Sequence, residues 1–205
     1  MFVHRRGLLV AELVAYDRQD IMQTTARVQA AVGEGDDGEA TGLVPVVDSI
    51  GVGGGVVDRL RELGVPVLAY TGAAKTKQRT REGEWGFTNV RSAAYWRLRE
   101  LLDPAFGAEL MLPPDDLLLS DLTTPTWDVT TGVPPKIQVE RKEDVVARLG
   151  RSPDRGDAVV MSFWAENLAY STIQSPAQRT GRATAAASRY GRSFGGSAAS
   201  GGRRR

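Results

Sequence analysis

The pattern of apolar and polar positions along the chain predicts an α/β protein. The opening segment MFVHRRGLLVAELVAY alternates and then runs apolar, which predicts a two-stranded hairpin with its turn at residues 5–7. Residues 17–32 carry apolar side chains near one face, among them Ile21, Val28 and Val32, which indicates an amphipathic helix. An acidic, glycine-rich loop is expected at residues 33–42.

A strand, a helix and a second strand are expected between residues 43 and 72. LVPVVDSI is a continuous apolar run, as in a strand that is covered on both faces. The helix GGVVDRLRELG ends at Gly64, and VPVLAYTG follows as the next strand. This spacing predicts a parallel unit with a right-handed crossover.

The rest of the chain adds helices and a second hairpin. A helix is expected to begin at the Asn89 cap, and a further helix is opened by Pro114 after a short strand. Residues 126–140 predict a hairpin that turns around Gly132, and two helices separated at Gly150 and Pro153 follow. We therefore expect a mixed sheet, antiparallel at its start and then parallel, flanked by helices.

Composition restricts the chemistry of any site. The 205 residues suit one domain with an extra segment. The chain has no cysteine and a single histidine, His4, so a metal would be held by oxygen ligands, which favours Mg²⁺ or Mn²⁺. We find neither an apolar run long enough to span a membrane nor a signal peptide, and expect a soluble, cytoplasmic protein without membrane partners.

The formal charge of +1 conceals an uneven distribution. Residues 171–205 contain seven arginines and no acid, which leaves 19 bases against 25 acids, about −6, in residues 1–170. The segment is rich in Ser, Gly, Ala and Arg, so we expect a disordered basic tail at 171–205 after a folded domain at 1–170. Such a tail either contacts nucleic acid or is merely solvated low-complexity sequence.

The acid Asp48 precedes a cluster of glycines, and two nucleotide-binding interpretations fit this cluster poorly. Gly51, Gly53 and Gly54 do not keep the G-x-G-x-x-G spacing of a Rossmann-like domain, and Asp48 would repel a pyrophosphate. YTGAAKTK lacks the second glycine of a P-loop, since Ala74 stands there.

A metal site is the alternative, and it requires carboxylates that converge at strand ends. Asp48 follows a strand, and Asp157 opens an apolar helix after Pro153. Taken singly, Asp48 would cap the following turn and Asp157 would complement a helix dipole. Considered together in a chain with no cysteine and a single histidine, the pair favours metal, with the glycines leaving space for a phosphate backbone.

Three runs together carry a family resemblance: VVDSIGVGGGVVDRLRELGVPV, NVRSAAYWRLRELL and KIQVERKEDVVARLGRSPDRGDAVVM. They resemble, in the same order, the C-terminal nuclease domain of phage terminase large subunits, the DNA-packaging motors. The resemblance covers roughly residues 1–165 and implies an RNase H-like fold and a metal-dependent endonuclease. It further implies that Asp48 and Asp157 bind the divalent metals, with Asp154 either an auxiliary ligand or a helix cap.

The resemblance also has a gap at its start. In this family the first catalytic acid lies on an opening strand, and Met1 falls within what resembles the second strand. The resemblance therefore implies a domain that lacks its first strand and the ATPase domain, through a misplaced start codon, a split gene or a decaying prophage.

The basic loop after the strand 65–72 carries Lys75, Lys77, Arg79 and Arg81, which either grip DNA phosphates or are solvated. The resemblance implies double-stranded DNA as partner in the bacterial host cytoplasm, with the terminase small subunit and the portal protein as further partners. A catalytically incomplete remnant that binds DNA or a packaging partner is the alternative function, and a Rossmann-like domain is the second alternative.

Overall fold

A computed structural model describes residues 1–16, 19–33, 43–108 and 110–173, with side chains as far as Trp164. The chain divides into two compact units, Met1–Ala165 and Glu166–Arg205. Most of the acidic loop expected at 33–42, and the tail from residue 174 onwards, lie outside the described residues. The predicted domain boundary at residue 170 stays a prediction.

The strands and helices follow the predicted order with two exceptions. A two-residue strand at Gly86–Phe87 lies where no strand was expected, and the short strand expected before Pro114 is only a bridge at Met111. The strands are β1 (Phe2–Arg6), β2 (Leu9–Val14), β3 (Val46–Asp48), β4 (Leu68–Tyr70), β5 (Gly86–Phe87), β6 (Trp127–Val129) and β7 (Lys136–Val139). The helices are α1 (Ile21–Val32), α2 (Val52–Glu62), α3 (Val90–Leu102), α4 (Asp116–Thr123), α5 (Lys142–Leu149) and α6 (Asp154–Ile173), with a short 3₁₀ helix at Pro104–Phe106. Among the described residues, no helix is both long and apolar enough to cross a membrane.

The two hairpins are antiparallel, as predicted. β1 pairs with β2, and the turn between them contains Gly7 at φ 56°. The first strand continues through Arg6, so the turn begins two residues later than expected. β6 pairs with β7, which pairs on its other side in parallel with β5.

The strand–helix–strand unit contains a parallel pair. Val46, Val47 and Asp48 of β3 pair with residues 68–70 of β4. The predicted strand LVPVVDSI is shortened to these three residues. Pro45 has no N–H to donate, and at the other end the chain turns away after Asp48.

Antiparallel and parallel pairs are both present, which confirms the mixed α/β class. The described strands form sheets of two, two and three strands, and a parallel bridge between Leu9 and Met111 extends the first of these. Strands of two to six residues provide few ladder hydrogen bonds, so the helices contribute much of the packing.

The main core lies between α3, β7 and the first turns of α6. Leu98 of α3, Ile137 of β7 and Phe163 of α6 are each at most 2% exposed and belong to one buried cluster. Asn89 caps α3, as predicted, because its side chain accepts a hydrogen bond from the Ser92 N–H. This core fixes the position of α6, whose first turn carries Asp157.

Candidate active site

Asp48 ends β3 and is held by local backbone geometry. Its Oδ1 accepts a hydrogen bond from the Ile50 N–H at 3.1 Å, the pattern of an Asx turn. The Ser49 N–H donates to the Tyr70 carbonyl at 2.8 Å, which ties the end of β3 to β4. The turn-capping role considered for Asp48 is therefore present, and its partly buried carboxylate stands at the carboxyl end of a parallel strand.

The glycines that follow Asp48 allow α2 to pack closely, and our expectation about them was wrong in part. A Cβ on Gly53 would lie 1.8 Å from the Asp48 carbonyl oxygen, and one on Gly55 would lie 2.6 Å from Cδ1 of Ile21. Protein atoms thus fill the space that we expected a phosphate backbone to use. Gly51, with φ 64° and open surroundings, is the glycine of this group that faces free space.

Asp157 lies in the first turn of α6, with its carboxylate enclosed by groups from two other helices. Oδ1 accepts from Nη1 of Arg91 at 2.6 Å and from the Tyr95 hydroxyl at 2.7 Å. Nζ of Lys142, at the start of α5, lies 2.8 Å from Oδ2. The side chain is 14% exposed, so Asp157 joins α3, α5 and α6 through a largely buried ion-pair cluster.

The pKa values in this cluster follow from burial and charge. Burial alone would raise the pKa of Asp157, but Arg91, Lys142 and Tyr95 outweigh it and hold the pKa below its usual value. Burial and the negative charge of Asp157 raise the pKa of the Tyr95 hydroxyl. Tyr95 therefore remains a neutral donor to an ionised carboxylate at neutral pH.

Asp48 and Asp157 act on the same buried phenol, Tyr70. Burial is the main cause that raises the pKa of Tyr70, Arg91 opposes it, and the charges of Asp157 and Asp48 each add to the rise. Tyr70 pairs with Asp48 across the β3–β4 ladder and packs edge-on against Trp164 of α6. Tyr70 therefore lies beside the end of β3 and also contacts α6.

The third candidate ligand, Asp154, is the first residue of α6. Its Oδ1 accepts from the Ser152 hydroxyl and lies 3.5 Å from Nζ of Lys142. Lys142 therefore lies between Asp154 and Asp157. Within the described part of the chain, no three His, Cys, Asp or Glu side chains are grouped so that they could hold a metal ion.

The four basic residues of the loop are exposed and alternate with partly buried positions. The structure distinguishes them from one another. Nη1 of Arg79 donates to the carbonyl of Gly83 at 2.9 Å, and the Arg81 guanidinium lies 4.8 Å from the centroid of the Phe106 ring. Lys75 and Lys77 remain exposed ammonium groups at the start of the segment.

Sequence reasoning missed Arg91, Tyr95 and Lys142. Arg91 and Tyr95 are four residues apart, so they lie on the same face of α3. That spacing could have identified a pair of neighbours, but not their common partner 62 and 66 residues further along the chain. Only the packing of α3 against α6 reveals it.

No protein-family model matches the chain, and a search of curated proteins found no relative. The fold is similar to the nuclease domain of the large terminase subunit gp2 of bacterial virus Sf6, with a TM-score of 0.57 and 16% identity over 78% of this chain and 79% of that one. A mutant of that domain with manganese and beta-thujaplicinol has a TM-score of 0.54 and 19% identity, with the same two coverages. A mutant form with calcium has a TM-score of 0.56 and 18% identity, again with those coverages. The chain therefore has the RNase H-like fold of a phage terminase nuclease domain.

Proposed function

We propose that this chain is the nuclease domain of a phage or prophage DNA-packaging terminase, with double-stranded DNA as its substrate in the bacterial cytoplasm. Asp48 and Asp157 would be its metal-binding carboxylates. The observation that carries the proposal is the similarity of the fold to the Sf6 terminase nuclease domain, which covers 78% of this chain. Structures of the similar Sf6 domain with manganese and with calcium support a divalent cation, and we favour Mg²⁺ or Mn²⁺ for this chain.

The described residues, however, do not fit a complete metal centre. A two-metal nuclease site needs several carboxylates around two ions about 3.5–4 Å apart. Here Asp157 is already neutralised by Arg91 and Lys142, and no group of three acidic or histidine ligands exists among the described residues. Oxygen donors beyond Asp48 and Asp157 would be needed to hold a divalent ion here.

This observation favours a second candidate function, a domain that binds DNA or a packaging partner without cutting. The terminase small subunit and the portal protein are the packaging partners that we propose. Both candidates share the fold, and they differ in whether the chain cuts DNA. Measurements of metal binding and of DNA cleavage on the same chain separate them.

Metal binding and cleavage form the first experiment. We expect Mn²⁺ to bind with a Kd of about a millimolar, since few carboxylates are available, and supercoiled DNA with Mn²⁺ to stay largely intact. Asp48→Asn and Asp157→Asn should each weaken Mn²⁺ binding further, whereas Asp58→Asn on the exposed face of α2 should not. If Asp48→Asn leaves the affinity for Mn²⁺ unchanged, the metal assignment is refuted. Vigorous cleavage that depends on Asp48 and Asp157 would show that the donor set is complete and would remove the second candidate.

DNA binding is the second experiment, and it uses the difference between lysines and arginines in the basic loop. If Lys75 and Lys77 each bind a phosphate, replacing both with Ala should lower the log–log salt slope of duplex affinity by about 1.8. Arg59 and Arg61 provide a control pair with the same change in charge on α2, where acidic neighbours already pair with them. Equal slopes for the wild type and both double variants would mean that the loop is merely solvated.

Deletion of residues 171–205, of which 174–205 lie outside the described residues, tests the proposed contribution of the tail in the same assay. The deletion removes seven positive charges. If the tail binds phosphates, the slope should flatten by about 0.9 for each phosphate that the shortened chain no longer neutralises. An unchanged slope would assign the tail no role in DNA binding.

A further inference from the structure

Asp121 is a fully buried acid that no sequence pattern distinguishes from a surface residue. It lies on α4, one turn after the buried Leu118, and its exposure is 0%. Burial of a carboxylate is costly unless hydrogen bonds and charges compensate for it. The partners of Asp121 therefore indicate why the fold places an acid there.

Two of these partners are backbone groups at the start of α6. Oδ2 of Asp121 accepts hydrogen bonds from the N–H groups of Arg155 and Gly156, each at 3.1 Å. These are the second and third residues of the helix, whose N–H groups an N-cap side chain normally satisfies. Pro153, immediately before α6, has no side-chain oxygen for this purpose, so Asp121 caps α6 from another helix.

The sequence around Gly156 is adapted to this approach. A Cβ on Gly156 would lie 2.8 Å from Cβ of Asp121 and 3.2 Å from its carbonyl carbon, so a larger residue would force the two helices apart. Nη1 of Arg151 lies 2.5 Å from Oδ1 of Asp121, an ion pair by distance although without hydrogen-bond geometry. The charge of Asp121 is thus compensated by the arginine and by the positive end of the α6 dipole.

We propose that Asp121 is a positioning residue for Asp157, an inference that rests on the proposed function of Asp157 as a metal-binding carboxylate. Asp157 immediately follows the two capped residues, and its own N–H donates to the Pro153 carbonyl at 2.9 Å. A displacement of this turn would move the Asp157 carboxylate away from Arg91 and Tyr95 on α3. Asp121 thereby sets the direction in which Asp157 points.

The test compares Asp121→Ala and Asp121→Asn with the control Asp115→Ala. Asp115 caps α4 through the Leu118 N–H and pairs with the side chain of Arg155, but it does not bond the backbone of α6. Two NMR measurements on the full chain give the readout: amide hydrogen exchange at residues 155 and 156, and the carboxyl ¹³C shift of Asp157. If Asp121 acted only through stability, the Asp157 signal would shift in Asp115→Ala as well as in Asp121→Ala. If Asp121 positions Asp157, the signal shifts only when Asp121 is replaced.

We expect Asp121→Ala to speed exchange at residues 155 and 156 by about tenfold, as for an ordinary hydrogen bond that is removed, and to shift the Asp157 signal. Asp121→Asn keeps an acceptor oxygen and should restore exchange to within about threefold of the wild type. Asp115→Ala should leave the Asp157 signal unshifted. If Asp121→Ala does not fold, Gly156→Ala should still shift the Asp157 signal, because its Cβ displaces the same turn.

Unchanged exchange in Asp121→Ala, or an equal Asp157 shift in Asp115→Ala, would overturn the positioning role. An unshifted Asp157 signal in Gly156→Ala would also overturn it. The metal assignment is judged separately in the wild type, by paramagnetic broadening of the Asp48 and Asp157 signals on addition of Mn²⁺. Absence of this broadening refutes the proposed function, while the exchange and shift data still decide on Asp121.

Discussion

Asp157→Asn should destabilise the protein, since the structure holds this carboxylate in place with two cations. Breaking a buried ion pair by removing one partner costs about 3–5 kcal/mol. An amide oxygen can still accept from Tyr95 and Arg91, and Lys142 is 41% exposed and can return to water, so we expect a loss of about 2 kcal/mol. Urea unfolding at pH 7, followed by far-UV circular dichroism, measures this loss as a lower midpoint at unchanged slope.

Acid pH provides a second test of the same ion-pair cluster. The pKa of Asp157 lies below its usual value in the folded state, so its stabilisation is complete above the unfolded pKa of about 4. That stabilisation is lost as the pH falls through the lower folded pKa. The difference between the wild type and Asp157→Asn should therefore shrink in acid.

Asp48→Asn is the matched control for this pair of measurements. Asparagine keeps the oxygen that accepts from the Ile50 N–H, so stability at pH 7 should stay within about 0.5 kcal/mol of the wild type. An Asp157→Asn variant as stable as the wild type, or more stable, would refute the stabilising role of the ion pairs at Asp157. Such a result is expected where carboxylates repel one another because no metal ion is bound between them. It is not expected of a carboxylate that is held by ion pairs.

Two further predictions concern the surroundings of these acids. Tyr95→Phe removes the hydroxyl that donates to Asp157 and should lower the free energy of unfolding by about 1 kcal/mol, as measured with urea. An unchanged midpoint would show that this hydrogen bond does not stabilise the protein. Gly53→Ala should lower the free energy of unfolding by at least about 2 kcal/mol, measured by calorimetry, because its Cβ would overlap the Asp48 carbonyl. In the control Gly132→Ala the new Cβ meets no close atom, so Tm should stay unchanged. Equal Tm values for the two glycine variants would contradict the close packing of α2 on β3.

Most of the order of elements could be predicted because its signals are local, but β5 was missed because a strand of two residues has no periodicity of its own. Apolar periodicity, the Asn89 cap and the breaks at Gly64 and Gly150 act over a few residues, and each appears in the structure. The lengths of the strands are not local, because they depend on which backbone groups find partners. Pro45 accepts from the Leu68 N–H but cannot donate, so the apolar run that contains it pairs over only three residues.

Of the residues at the candidate site, only the acids could be identified from the sequence. Asp48 and Asp157 could be identified because each is an acid at the edge of an apolar segment. Arg91 and Lys142 look like ordinary solvated residues of helices, since a charge on a helix surface carries no mark of the partner that it will meet. Charge neutralisation at Asp157 is a property of how α3, α5 and α6 pack, and no short stretch of sequence encodes it.

The glycine-rich turn shows how one sequence pattern can serve two different physical ends. In a phosphate-binding turn, glycines expose backbone N–H groups to an anion at the start of a helix. Here the Asp48 carboxylate already accepts the Ile50 N–H at the entry to α2, so a negative charge stands where a phosphate would have to approach. Gly53 and Gly55 meanwhile face protein atoms at distances that exclude a ligand. The glycines therefore bring α2 close to β3 and fix the Asp48 backbone, and the Rossmann-like alternative loses the physical basis that it would need.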